Sequence, residues 1–522
     1  MKNLPVGIQT FDKIIKGNYL YVDKTKDIYN ILARGEQYYF LSRPRRFGKS
    51  LLISTLEELF SGNKELFAGL WIYDKIEWRN YPVISIDFTK ISYKTADVLE
   101  ASIKRLLEDK ARAFGIKLDK EKDYKESFSQ LIEAVSGQGK VVVLIDEYDK
   151  PIIDRIEEKE IAAKNRDVLR EFYSVIKAAD KHIKFVFITG VSKFSKVSVF
   201  SGLNNLRDIT LSKSFSQLLG YTEAELRRYF AQNIEKMAAE LGIGKEELLE
   251  KIRRWYNGYS WDGENFVYNP FSILNLFTEN SFGNFWFASG TPTFLIKTIR
   301  EHDVRIEELE NYSTDSSVFE SYDIERLNAV SLLFQTGYLT VGRVEKLSVT
   351  RSRYFLTFPN IEVKESLLKH VLADFTGKFP NEAGNTVFDL IEKIESNDLE
   401  GFITILKSLF AAIPAHIFIK NREAYYHSVI YLVLTLLGVV IQAEVYTNKG
   451  RIDAVIETGS HIYILEFKMG TAAQALTQVK ENKYFEKYMA SGKEVVLIGI
   501  GFDVEQKNLT DYTVEALPKS SS

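Results

Sequence analysis

A short apolar run, Tyr38 to Ser42, passes directly into Arg43-Pro44-Arg45-Arg46-Phe47-Gly48-Lys49-Ser50, and Leu51 to Phe60 then repeats apolar residues at helical spacing. A buried strand, a tight loop and a helix in immediate succession leave few folds open. Later segments narrow them further. Pro82 to Phe88 alternates as a strand does, and Val141 to Ile145 and Ile183 to Thr189 are continuous apolar runs of the kind buried on both faces of a parallel sheet. Leu99 to Phe114, Tyr124 to Val135 and Ala162 to Ala179 carry helical spacing between them. Strands alternating with helices predict an α/β fold with a parallel sheet.

The loop has its own chemistry. Between a strand and a helix, Arg45-Arg46-Phe47-Gly48-Lys49-Ser50 stands where a phosphate-binding P-loop is required to stand. Backbone N–H groups of such a loop and of the helix start cradle phosphate oxygens. Lys49 is placed to neutralise β/γ-phosphate charge and Ser50 to ligate Mg²⁺. The full pattern asks for glycine at position 43, where this chain has arginine. Val141-Val142-Val143-Leu144-Ile145-Asp146-Glu147 adds an apolar strand ending in two carboxylates. Asp146 suits a magnesium site and Glu147 a general base for water. The competing reading is a plain buried strand with solvated acids at its exit. The two elements together favour ATP with magnesium.

From Thr222 the pattern turns helical, with Thr222 to Ala238 and Lys245 to Tyr256 as amphipathic segments, and Trp255 to Tyr259 with Tyr268-Asn269-Pro270 read as turns and short strands. Residues 291–378 predict a second unit. A helix from Ala329 stops at Gly337, Tyr338 to Val341 and Arg353 to Phe358 form a hairpin, and Ile361 to Phe375 a helix, an order that suggests a winged-helix-like module. Lys364, Lys369 and His370 are too few charges to assign DNA binding to it. Lys378 to Asn385 is the linker candidate, and 379–522 the third domain. Val429 to Ile441, the longest apolar run, is shorter than a membrane span needs and reads as a buried helix.

Near the C-terminal end, Gly450 to Ile456 and Ile462 to Lys468 read as two strands joined by a short turn. Glu466 and Lys468 are two apart, so they share a sheet face. If Asp453 shares it, two carboxylates and one amine converge. Hard oxygen ligands suit Mg²⁺ or Mn²⁺, and a lysine beside them orients water and stabilises phosphate charge. An edge hairpin with ordinary surface charges is the alternative.

The composition narrows the classes. The 522 residues include no cysteine, which excludes disulfides, thiolate zinc sites and Cys nucleophiles and fits a cytoplasmic setting. Six scattered histidines disfavour an imidazole metal site. Met1 to Gly17 has no signal-peptide core, and no membrane association is expected. The net charge of −3 means that a nucleic-acid partner needs a local basic surface.

Two resemblances then become specific. Ser42 to Ser50 resembles the GPRRxGKT loop of archaeal-type ATPases in the STAND/AAA+ group. Tyr21-Val22-Asp23-Lys24-Thr25, Leu144 to Pro151, Gly202 to Thr210 and Trp255 to Pro270 are similar to segments of the AAA-ATPase-like family. The resemblance covers about residues 1–285 and implies a P-loop sheet with a helical lid over 1–290. It also implies that Tyr21 to Asp23 lies near the adenine and that Thr189 or Ser192 senses the γ-phosphate. Arg207, Arg45 or Arg46 is then an arginine finger; for each, a surface or salt-bridged role is an equal alternative. The C-terminal pattern resembles the PD-(D/E)XK nuclease superfamily over about 380–510. That implies an α/β restriction-endonuclease-like core of one helix, three strands, a helix and a further strand. Asp453 and Glu466 match its metal-binding acids and Lys468 its catalytic lysine. Glu423 matches the optional helical glutamate, and Gln478 and Tyr484 a supporting pair. Together these imply an ATP-dependent nuclease acting on nucleic acid, DNA before RNA, with homo-oligomerisation open. The alternative is a STAND-like switch in signalling or defence whose C-terminal fold binds rather than cuts.

Overall fold

The structure is a computed structural model and describes residues 2–193, 199–203, 205–287, 293–302, 304–319, 328–413, 422–440, 442–448, 451–483, 485–503 and 508–517; the side chains of 293, 422–427, 439–440, 442–448, 451–453 and 482 are outside that description. It divides into two compact units, Met1–Leu295 with Asn311–Glu362, and Ile296–Glu310 with Val363–Ser522.

The first unit is built on five parallel strands: β1 (Tyr38–Ser42), β2 (Val83–Asp87), β3 (Val141–Asp146), β4 (Ile183–Gly190) and β5 (Arg207–Asp208), in the order β2-β3-β4-β1-β5. The apolar runs of β1 and β3 are buried at every position, as strands covered on both faces must be. One core joins Tyr39 and Leu41 of β1, Leu144 of β3 and Phe187 of β4 to Leu52 and Leu56 of the helix Lys49–Phe60. β4 lies between β1 and β3, so the loop after β1 and the acids after β3 open at the same sheet edge with one strand between them.

The lid helices are Glu223–Tyr229, Ala231–Leu241, Lys245–Tyr256 and Pro270–Glu279. The single helix expected over 222–238 breaks at Phe230, whose backbone leaves helical geometry (φ −110°, ψ 17°). Thr222 and Glu225 close a capping box at the start of the first, and Asn269 accepts from the N–H groups of Phe271 and Ser272 at the start of the last, with Pro270 at the first helical position.

A three-stranded antiparallel sheet completes this unit: β6 (Tyr312–Thr314), β7 (Thr340–Lys346) and β8 (Ser352–Thr357), in the order β6-β8-β7. The separate middle unit expected over 291–378 is therefore divided, with the hairpin in the first unit and 363–378 in the second. The reason is contact with the segment between the last two lid helices. Ser260 N–H donates to Thr340 Oγ1 at 2.7 Å, and Thr340 Oγ1 donates to Ser260 O at 2.9 Å. Gly258 (φ +107°) lies so close to the Pro359 carbonyl that no Cβ fits, and Gly337 (φ +93°) packs on Pro44 of the β1 loop.

The second unit holds the sheet β13-β12-β11-β10-β9: β9 (Gln442–Asn448), β10 (Arg451–Glu457), β11 (His461–Met469), β12 (Glu494–Asp503) and β13 (Asn508–Ala516). All neighbours are antiparallel except β11 and β12, which run parallel and are connected through the helix Ala472–Asn482. With the helix Arg422–Val440 before β9, the order is helix, three strands, helix, strand, followed by β13. The expected linker at 378–385 is instead the start of a helix, Pro380–Glu395. Pro380 takes its first position and Glu382 accepts from Phe379 N–H at 2.9 Å. Among the described residues no helix is long and apolar enough to cross a membrane.

Glu362 closes the first unit. It is wholly buried, accepts from Ser272 Oγ at 2.7 Å and from Trp286 N–H at 2.6 Å, and burial lifts its carboxyl to about 7. Its folded pKa lies above its ordinary 4.5, so the protein loses stability as pH rises from 4.5 through 7. Glu362→Gln removes the charge, with its amide oxygen accepting from Trp286 N–H and its amide NH₂ donating to Ser272 Oγ. Denaturant titrations across this range should show it gaining on the native protein with rising pH, by up to about 3 kcal/mol at pH 8. A constant difference between the two proteins would refute the assignment.

Candidate functional site

The loop after β1 turns through Arg46 in the left-handed region (φ +66°) and Gly48 (φ +91°) before the helix Lys49–Phe60 begins. Lys49 is buried, and its Nζ donates to Pro44 O at 3.2 Å and pairs with Glu147 Oε1 at 3.4 Å. Ser50 hydrogen-bonds Asp146. The sequence-separated Lys49, Ser50, Asp146 and Glu147 therefore meet in one place. Asp146 is 5% exposed, and burial, with the charge of Glu147 second, pushes its carboxyl up to about 6 against the pull of Ser50 and Lys49. Glu147 is also left-handed (φ +52°), and its N–H donates to Asp146 Oδ1 at 3.0 Å.

Thr189, near the end of β4, is fully buried, and its Oγ1 has no hydrogen-bond partner among the described residues. It follows Ile188, which is paired with Ile145, so it stands between the β1 loop and Asp146. Ser192 donates from Oγ to Asp149 Oδ2 at 2.5 Å. Of the two sensor candidates, one hydroxyl is committed and the other is open.

Lys49, Ser50, Glu147 and Asp149 border a cavity of about 410 Å³. Its lining combines polar residues, among them Arg45, Arg46, Asp87 and Lys150, with apolar and aromatic ones, among them Tyr21, Leu52, Leu219, Tyr221, Phe271 and Leu274. Arg46 lies over the Phe271 ring at 4.6 Å, and Arg45 faces Asp154 at 3.9 Å. Phe47 turns away into the core against Tyr259 and Trp261. Tyr21 lines the cavity, but Asp23 does not. Its carboxylate accepts from Thr25 N–H and Oγ1 at 2.9 and 2.7 Å and from Trp71 N–H at 2.7 Å, so its work is in the fold. Arg207 is also outside the cavity, on β5 beside Tyr39 and ion-paired with Glu36.

Two acids escaped sequence reading. Asp87 ends β2 directly beside Asp146, an available signal because Pro82 to Phe88 is a strand ending in a carboxylate as β3 does. Asp149 is buried and accepts from the N–H groups of Val191 (3.2 Å) and Ser192 (2.6 Å), fixing the turn after β4. No local pattern marked it. Among the described residues there is no ready-made group of three or more acidic or histidine ligands. Mg²⁺ suits such a place when one or two protein oxygens hold it and phosphates and water supply the rest. Ser50 and Asp146 fit that requirement.

In the second unit, residue 453 is the cross-strand partner of residue 466, which places both on one face of the sheet. Glu466 is fully buried, and Lys468 Nζ donates to Gln478 Oε1 on the helix Ala472–Asn482 at 3.3 Å. Gly499 and Gly501 of β12 pair with Glu466 and Lys468. A Cβ at Gly499 would meet Leu476 N at 2.6 Å, and one at Gly501 would meet Gly470 O at 2.6 Å. The two glycines let the helix rest on bare backbone, which brings Gln478 within reach of Lys468. The side chains of Asp453 and Glu423, and all of Tyr484, lie outside the described residues.

Arg43 explains the departure from the glycine pattern. Its side chain is 1% exposed and turns into the core. Nη1 donates to Thr210 O at 2.8 Å and Ser42 O at 2.9 Å, Nη2 to Phe215 O at 3.3 Å, and the guanidinium lies 3.7 Å from the Trp261 ring centre. Burial draws its pKa down to about 9. Restoring the pattern with Arg43→Gly should cost about 3 kcal/mol in denaturant titration, from lost packing and three lost guanidinium hydrogen bonds. Arg43→Lys should recover less than half, because an ammonium cannot stack and fork at once. Undiminished stability in Arg43→Gly would show that the guanidinium is dispensable.

Comparison with known proteins agrees with this geometry. Residues 5–200 match the family model described as a predicted AAA-ATPase, and residues 421–512 match that of the PD-(D/E)XK nuclease superfamily. The chain is 41% identical over 528 aligned residues, 99% of each chain, to the "Uncharacterized protein in vnfD 5'region" of Azotobacter chroococcum mcd 1. The chain belongs to this family, with an AAA-ATPase-like domain in its N-terminal part and a PD-(D/E)XK nuclease superfamily domain in its C-terminal part.

Proposed function

We propose that this protein binds and hydrolyses ATP with Mg²⁺ and couples turnover to metal-dependent cutting of nucleic acid, DNA in preference to RNA. The observation that carries the first half is the meeting of Lys49, Ser50 and Glu147 on one cavity, with Asp146 buried directly behind them. A triphosphate at the loop competes with Glu147 for Lys49, which frees that carboxylate to take a proton from water. Ser50 and Asp146 hold the magnesium, which when bound neutralises charge on the β- and γ-phosphates. Thr189 reads the γ-phosphate, a role its unpartnered hydroxyl at the end of β4 supports. Tyr21 offers an aromatic wall to the base. Arg45 and Arg46 border the cavity and act within the chain, whereas Arg207 sits off the cavity and serves as a finger only toward a second copy.

The second half rests on the β10–β11 register. Residues 453 and 466 are cross-strand partners, with Lys468 two positions further along. Asp453 and Glu466 hold a divalent metal, which when bound activates water and offsets charge on a scissile phosphate. Lys468, steadied by Gln478, stabilises the developing negative charge. Glu423 and Tyr484 are assigned supporting roles on resemblance alone.

Lys49→Ala should abolish ATP turnover. Lys468→Ala should leave it intact while lowering Mg²⁺- or Mn²⁺-dependent DNA cleavage by about a hundredfold or more. Both are read by phosphate release and by gel assay on DNA and RNA substrates, with ATP, a non-hydrolysable analogue or neither. Cleavage that survives Lys468→Ala defeats the nuclease assignment. ATP turnover with no cutting by the native protein points instead to an ATP-driven switch with a C-terminal recognition fold.

A further inference from the structure

The β7–β8 hairpin is used by neither site. Its tip is Leu347-Ser348-Val349-Thr350, closed by Leu347 N–H to Arg351 O at 2.9 Å and Ser348 N–H to Arg351 O at 3.1 Å. Turn tips ordinarily carry glycine, asparagine, aspartate or proline. Here Val349 is completely exposed, at 105%, and Leu347 is 51% exposed. Burial within the fold gives neither apolar side chain a purpose.

The flanks are basic. Arg343, Lys346, Arg351 and Arg353 are all exposed, against one carboxylate, Glu345, on the same hairpin. Among the described residues, none of the four cations has an ion-pair partner; Arg343 lies instead over the Phe355 ring at 3.3 Å. The lid shows the contrast, because its exposed Arg227 and Arg253 are each bound to glutamates. Pairing puts Arg343 across from Phe355 and Glu345 across from Arg353. Arg343, Glu345, Leu347, Arg351 and Arg353 therefore share one face, which carries three cations against one carboxylate, with Arg351 and Arg353 about 7 Å apart along the strand. The chain as a whole carries −3, so this concentration of unpaired positive charge is local.

We infer that the β7–β8 hairpin is a duplex-DNA contact surface, in which the arginines neutralise backbone phosphates and the apolar tip wedges into the minor groove. Unpaired arginines flanking a protruding apolar residue match the chemistry of minor-groove binders that insert a wedge between base steps. A polyanion supplies the counter-charge that the protein does not. The inference rests on the proposed action on nucleic acid and adds where the ATPase-bearing unit grips it.

The test is fluorescence anisotropy of the full-length protein with a short fluorescein-labelled duplex, in EDTA so that nothing is cut, over a salt titration. The double substitution Arg351→Glu/Arg353→Glu should weaken binding at least about tenfold and lower the salt slope by about two. Val349→Ser should weaken binding with the slope unchanged. ATP turnover measured without DNA should stay at the native level in both and serves as the check on folding. If the glutamate pair loses turnover, Arg351→Gln/Arg353→Gln is read instead, with the same drop in slope expected. Native-like affinity and slope in the arginine variants, beside native DNA binding and Lys468-dependent cutting, overturn the hairpin assignment alone. A native protein that neither binds nor cuts DNA or RNA overturns both this inference and the nuclease reading.

Discussion

The buried guanidinium of Arg43 is the tie on which the architecture of the candidate site depends. It sits at the first position after β1, where the chain leaves the sheet for the loop. It grips carbonyls at Thr210 and Phe215 beyond β5, and it stacks on Trp261 between the last two lid helices. Three stretches far apart in sequence are thereby held at the root of the loop. Trp286 adds a second tie, with its indole N–H donating to Arg45 O at 3.0 Å and its backbone N–H to Glu362. The backbone of the loop is thus held from the protein side. The inner wall of the cavity is fixed independently of the Lys49–Glu147 pair that any ligand must displace.

Much of the fold was legible because its signals are local. The strands at 38–42, 141–146 and 183–190 showed as apolar runs, the strand at 83–87 as an alternation, and the helix Lys245–Tyr256 as an amphipathic period. The helix, three strands, helix and strand implied for the C-terminal part are all present. What escaped depends on distant partners. Residues 378–385 read as a linker by composition, yet Pro380 and Glu382 cap a helix there. The middle module could not be delimited from its own residues, because its hairpin is claimed by Ser260 and its preceding glycine by Pro44.

The same division runs through the sites. Lys49, Ser50, Asp146 and Glu147 were recoverable since a loop and an acidic strand each carry their own pattern. Asp149 was not, because its role is to hold backbone groups of Val191 and Ser192 across β4. Asp23 carried a family signature and proved to bind Thr25 and Trp71. A short motif marks where a carboxylate stands, but only its hydrogen-bond partners decide what that carboxylate serves.

The open hydroxyl of Thr189 has an energetic meaning. A polar atom sealed from water without a partner costs about 1–3 kcal/mol. The protein carries that penalty wherever the atom is left unmet, and any group that offers a complementary oxygen relieves it. On the proposed function, relief of this kind would add to affinity without a new contact at the surface, and it would fall only to a ligand long enough to reach between the β1 loop and Asp146. A hydroxyl left unsatisfied in the core would then serve as a ruler for the length of a phosphate chain.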